Sequence, residues 1–239
     1  MLGRILMIGL LLMASGRLLQ AQPPQPRVLL LGDQIYQQPA SELAKALQGK
    51  AEVVYVRLQP GEIFHSSFLL ANLDRFLGDG RWDLIHFNVG LGDLIHRAPG
   101  MRSFRVLPPQ SGGVRATPPE LYRSNLKSIT DRLQATGARV VWASTTPIRH
   151  SGTEVFITGS EVEYNQIAAE VMKSRGVPIN DMHAYVKDLI DMDRPAGHNA
   201  DPFHFDRKPI HGPVLDSIER FLDQSGSAPH PVDQSNPDS

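Results

Sequence analysis

The 239-residue chain contains no cysteine. That excludes disulfides, thiolate catalysis, thiolate metal ligation and the acylated cysteine of a lipoprotein anchor. It also lacks excess charge of either sign: 24 Lys and Arg against 25 Asp and Glu leave a formal net charge of -1. Composition therefore offers no electrostatic argument for nucleic acid or for a charged surface as a partner. There is no Gly-x-Gly-x-x-Gly, no phosphate-binding loop and no His-Glu-x-x-His, so the common nucleotide and zinc-hydrolase signatures are missing and no cofactor is implied. The nine histidines show no ligand spacing. His198 and His204 with Asp201 are the one grouping that could take a metal adventitiously, and the reading here is that none is bound. An isolated histidine within an apolar run, such as His86, reads as a core residue.

Long apolar runs are absent except at the start. Arg4 followed by Ile5 to Met13 has the form of a secretory signal, too short for a comfortable membrane span, with cleavage after Ala21 preferred over Gly16. The alternative is an uncleaved anchor. After cleavage no membrane span remains, and a secreted or periplasmic location is expected. Residues 22–26 form a Gln/Pro linker. The segment 224–239 is rich in Ser, Pro, Gly and Asp and reads as a disordered tail. Between them, 27–223 shows no internal repeat or change of composition and is taken as one domain.

Within that domain short apolar runs alternate with helical patterns. Val28–Leu31, Val53–Val56, Leu84–Val89, Val140–Ala143 and Val177–Ile179 suit parallel strands covered on both faces. Thr117-Pro118-Pro119-Glu120 reads as a capping box opening a helix whose stripe is Tyr122, Leu126, Ile129 and Leu133, with Gly137 as the stop. Ser160-Glu161-Val162-Glu163 reads as a second box, followed by Tyr164, Ile167, Ala168 and Val171, with Gly176 as the stop. Gly212-Pro213 opens a last helix carrying Val214, Ile218, Phe221 and Leu222. This alternation predicts an α/β protein, a three-layer α/β/α sandwich on a parallel flavodoxin-like sheet. In such sheets the site lies beyond the carboxyl ends of the strands, at the loops after Leu31, Leu58, Val89 and Thr146.

Three groups near those loops could carry chemistry. Gly32-Asp33-Gln34 follows the first strand, where a residue at position 34 faces a helix amino end that favours developing negative charge. A serine there would be an acyl-transfer nucleophile; the amide of Gln34 cannot be one. Asp201 and His204 have the spacing for a carboxylate to orient an imidazole base. Asn88-Val89-Gly90-Leu91-Gly92-Asp93 ends the third strand in a glycine-rich loop that reads equally as an oxyanion or ligand site and as a plain strand exit.

The order of these pieces resembles the SGNH (GDSL) hydrolase family over most of Val28 to Leu222. The stretch Leu73-Asp74-Arg75-Phe76-Leu77-Gly78-Asp79-Gly80-Arg81-Trp82-Asp83-Leu84-Ile85-His86-Phe87-Asn88 is similar to a secreted subgroup known mostly from planctomycete-like environmental bacteria. The resemblance implies hydrolysis of carbohydrate or lipid acyl esters, with a small-molecule, glycan or lipid ester as the ligand. It also implies that Asp201 and His204 are the orienting carboxylate and general base. Gly32 and Asp33 match the family's opening motif, and Gln34 stands at its nucleophilic serine. Gly90 and Asp93 match its third block, with Gly92 where the oxyanion asparagine usually sits, and Gly61 is the nearest candidate for the second-block glycine. Beside a purely structural envelope protein whose pocket binds nothing, two functions follow. One is a catalytically impaired member that binds its ligand; the other is an active esterase using Ser66, Ser67, Ser144 or a water activated by His204.

Overall fold

The computed structural model describes residues 24–101, 104–149, 155–193, 205 and 208–226. Strands β1 (Arg27–Leu31), β2 (Glu52–Tyr55) and β3 (Leu84–Phe87) are followed by a short ribbon of β4 (His96–Arg97) and β5 (Val114–Arg115), then by β6 (Arg139–Ala143) and β7 (Ile179–Asn180). Five of them form an all-parallel sheet in the order β2-β1-β3-β6-β7. The chain winds outward from β1 to β2, then crosses back over β1 to β3 and continues the other way. That reversal opens a crevice between the ends of β1 and β3.

The near-continuous apolar runs mark a sheet buried on both faces. In β1, Leu29 and Leu31 pack into one core and Val28 and Leu30 into the other, all at most 1% exposed. The first face is covered by α2 (Ser66–Ala71), α3 (Leu73–Leu77), α5 (Pro119–Gln134) and α6 (Ser160–Ser174), and a short α4 (Leu91–Leu94) follows β3. The second face carries α1 (Gln37–Ala46), α7 (Met182–Leu189) and α8 (Gly212–Gly226). The stripes Tyr122–Leu126–Ile129–Leu133 and Tyr164–Ile167–Ala168–Val171 lie buried as expected.

Several boundaries differ from the expectations. β3 ends at Phe87; the next residue, Asn88, still donates its N–H to Leu31 O at 2.9 Å, and its side-chain amide donates to Ala143 O at 2.8 Å and Thr145 Oγ1 at 3.2 Å. The last strand is Ile179–Asn180 rather than Val177–Ile179. Neither capping box forms. α5 starts after Pro118, one residue beyond Thr117, and α6 starts after Gly159 at φ 79°, with no side-chain cap on either. α8 runs to Gly226, past the expected start of the tail at 224, and Arg139 at the start of β6 donates to the Gln224 side chain. Residues 1–21, the rest of the tail, and the Asp201–His204 motif lie outside the described residues. No described helix is long and apolar enough to cross a membrane.

Candidate functional site

A cleft of about 1140 Å³ opens at the carboxyl ends of β1 and β3. One wall is the segment after β1: Asp33, Gln34 and Ile35, then Gln37, Gln38, Ser41 and Glu42 on α1. Leu58, Ile63, Phe64, Leu91, Gly92 and Ile95 form the facing apolar wall, with Arg57 and Glu62 at its rim. The third side is Phe205 with Lys208, Pro209, Ile210 and His211, the chain that follows the Asp-x-x-His motif and leads into α8.

Asp33 builds the turn that presents Gln34. Its Oδ1 accepts the Ile35 N–H at 2.9 Å, and its carbonyl accepts the Tyr36 N–H at 3.1 Å and the Tyr55 hydroxyl at 2.8 Å. Burial, then the Asp33 charge, push the Tyr55 hydroxyl up to about 12, so it remains a donor. Gly32 does not line the cleft; a Cβ there would lie 2.5 Å from Cδ2 of Tyr36, so this glycine admits the Tyr36 ring beneath the turn. Gln34 is exposed and on the cleft wall.

The third-block residues separate. Gly90 lies between the ends of β3 and β6, where a Cβ would sit 2.2 Å from Thr145 Oγ1. Gly92 does line the cleft, but a Cβ there would be 2.1 Å from the Phe64 carbonyl oxygen. The space an asparagine side chain would need is filled by backbone. Asp93 is fully buried and turns away from the cleft. Its carboxylate accepts the Ser66 N–H at 2.9 and 3.0 Å and the Ser66 hydroxyl at 2.6 Å. Asn125 donates in turn to the hydroxyls of Ser66 at 2.9 Å and Ser67 at 2.8 Å. Burial pushes the Asp93 carboxyl up to about 6, the Ser66 hydrogen bonds opposing. Asp93 is thus the clamp that fastens α2 to the β3 exit. Gly61, at φ 86°, is an exposed turn residue beside the cleft rather than in it.

The alternative nucleophiles do not line the cleft. Ser66 is fully buried on Asp93 and Ser67 is held by Asn125. Ser144 is 5% exposed, donates to Asp181 Oδ1 at 2.9 Å and accepts the His183 N–H at 2.8 Å, which makes it part of the cap of α7. None of the three lines the cleft; among its described lining residues the sole hydroxyl side chain is Ser41. Asp201 and His204 lie outside the described residues, so their distance to Gln34 is not given by the structure. Among the described residues no group of three His, Asp or Glu could hold a metal ion. Sequence reasoning missed the glutamine wall, although Gln34, Gln37 and Gln38 follow one another around the start of α1. It also missed His211, whose place just before Gly212-Pro213 was a usable signal.

No family model and no curated protein matches this sequence. Solved structures do match. An acetyl xylan esterase aligns at 15% identity over 84% of this chain and 100% of its own, with a TM-score of 0.55. A GDSL-like lipase from Bacteroides thetaiotaomicron aligns at 13% identity over 86% and 92%, with a TM-score of 0.57. A lipase/acylhydrolase from Enterococcus faecalis aligns at 14% identity over 82% and 96%, with a TM-score of 0.58. At such identities the likeness establishes architecture, and the chain has the α/β fold, with a central parallel sheet flanked by helices, of the SGNH (GDSL) hydrolases.

Proposed function

We propose that this chain is a degenerate SGNH hydrolase, exported from the cytoplasm, that binds a carbohydrate or lipid acyl ester in the cleft and has lost efficient turnover. The observation that carries the reading is the cleft wall after β1: it presents Gln34, the residue that the family resemblance aligns with the nucleophile, and the first hydroxyl among its described lining residues is Ser41, on the second turn of α1. Removing a triad nucleophile costs a factor of about a million in turnover. Loss of an oxyanion donor costs about a hundredfold more, and the close approach of Phe64 to Gly92 leaves no room for that donor. What persists suits binding: amides of Gln34, Gln37 and Gln38 that can hold hydroxyl or carbonyl groups, facing an apolar wall that can take an acyl group.

The test is hydrolysis of p-nitrophenyl acetate and acetylated xylan by the unaltered protein, His204→Ala and Gln34→Ser. The expected result is no turnover by the unaltered protein above that of His204→Ala. Activity should appear with Gln34→Ser at a level about a hundredfold short of a complete site. Turnover by the unaltered protein that disappears in His204→Ala would overturn the reading in favour of a water activated by His204.

A further inference from the structure

The chain as a whole is close to balanced in charge, but the charges of its cleft are not matched pair by pair. Asp33, Glu42 and Glu62 line it, and each carboxylate already has a partner. Glu62 takes two bonds from Arg75, at 2.6 and 3.0 Å, and one from the Gln59 N–H at 2.8 Å. Glu42 meets Lys45 at 3.2 Å, and Asp33 accepts the Ile35 N–H of its own turn at 2.9 Å. The cations are placed differently. Lys208 rests its ammonium on the Leu189 carbonyl. Arg57 is the sole arginine among the described lining residues. It is exposed and meets no carboxylate among the described residues.

Arg57 stands beside the turn that presents Gln34. It follows β2, the neighbour of β1, and Tyr55 of β2 donates to Asp33 O at 2.8 Å. Burial and then the Asp33 charge push the Tyr55 hydroxyl up to about 12, and the Arg57 charge opposes them. The guanidinium is therefore near enough to be felt at that turn. A polar stripe continues from there along α1. Gln34, Gln37, Gln38, Ser41 and Glu42 recur at the spacing of one helix face and line the cleft, while Ala40 and Leu43 turn into the core. From Gln34 to Ser41 the stripe runs about 10 Å.

We propose that the ligand is an acidic glycan: Arg57 selects a carboxylate on a sugar ring, and the sugar chain lies along the α1 stripe. This rests on the reading of the cleft as a site for an acyl ester and adds the class of alcohol that bears the ester. A guanidinium offers a carboxylate a planar fork of donors. Amides and a hydroxyl repeated along a helix face, each both donor and acceptor, suit a ligand with hydroxyls at intervals. An anionic phospholipid would satisfy Arg57 but set acyl chains against that stripe, leaving its amides without partners.

The experiment is isothermal titration calorimetry of the full chain with two probes. One is an acetylated xylo-oligosaccharide carrying a glucuronic acid; the other is the same oligosaccharide with that carboxyl reduced to the alcohol. The acidic form is expected to bind about fivefold more tightly, the difference shrinking with added salt. Arg57→Gln should erase the difference and leave affinity for the reduced form unchanged, which also shows the site intact. Lys127→Gln, an exposed cation elsewhere, should preserve the difference. Equal binding of the two forms, or a preference that survives Arg57→Gln, would overturn the proposal and leave the ester-binding reading standing. Arg57-dependent binding of dihexanoylphosphatidylglycerol in place of the oligosaccharides would overturn it in favour of a lipid. An acidic preference that persists undiminished after the acetyl groups are removed would support the proposal and overturn the ester reading alone. No binding of either form would overturn both.

Discussion

Gly92 shows how one missing Cβ shapes the site. Its backbone approaches the Phe64 carbonyl so closely that any side chain must push the 64–65 segment away. The same segment carries Ser66, which is bound three ways to Asp93, so it has little freedom to yield. Gly92→Ala is therefore expected to destabilise the fold by about 1–3 kcal/mol, measured as a lowered urea midpoint at constant slope. Gly92→Asn should not raise the activity of Gln34→Ser, because the asparagine cannot reach an oxyanion position without that displacement. Asp93 was legible in the sequence as a motif member but not as a buried clamp, since its direction depends on Ser66 and Asn125 from two other elements.

Elements were legible where one pattern sufficed. Four of the five apolar runs fall on parallel strands and the fifth meets β7 at Ile179 alone, while the stripes of α5 and α6 and most of that of α8 became buried faces, because periodicity reports burial directly. Their ends were less legible. Thr117 has cap chemistry, but two prolines follow it, and the extended Pro118 at ψ 154° puts the helix start one residue later. The β4–β5 ribbon, with two-residue strands, is too short to show alternation and is held instead by its contact with Val155. α5 also fixes the exit of β3: the buried Tyr122 hydroxyl donates to Val89 O at 2.7 Å and its ring packs 4.7 Å from that of Tyr164. Tyr122→Phe keeps the ring and strands the carbonyl, for an expected loss of about 1–3 kcal/mol, again read by urea denaturation.

For the whole molecule, two buried titratable groups pull stability in opposite directions. Burial pushes the Asp93 carboxyl up to about 6 from 3.8, so its contribution is full below about 3.8 and is lost as pH rises through about 6. Burial alone pushes His86 down to about 4 from 6.5; its Nε2 lies 3.0 Å from Asn180 Nδ2. That contribution is full above 6.5 and is lost as pH falls through about 4. Between about 4 and 6 the slopes oppose each other. Asp93→Asn leaves His86 unopposed, so its urea midpoint should fall more steeply than the parent's on acidification across that window; parallel curves would contradict the assignment. The reversal of winding beside Leu31 carries a consequence at the same scale. A void held open by strand order keeps its volume whichever side chains stand on its rim. Exchanging Gln34, Gln37 or Gln38, which line that void, should therefore change what it holds without closing it, whereas Gly92 is tied to the backbone beside it.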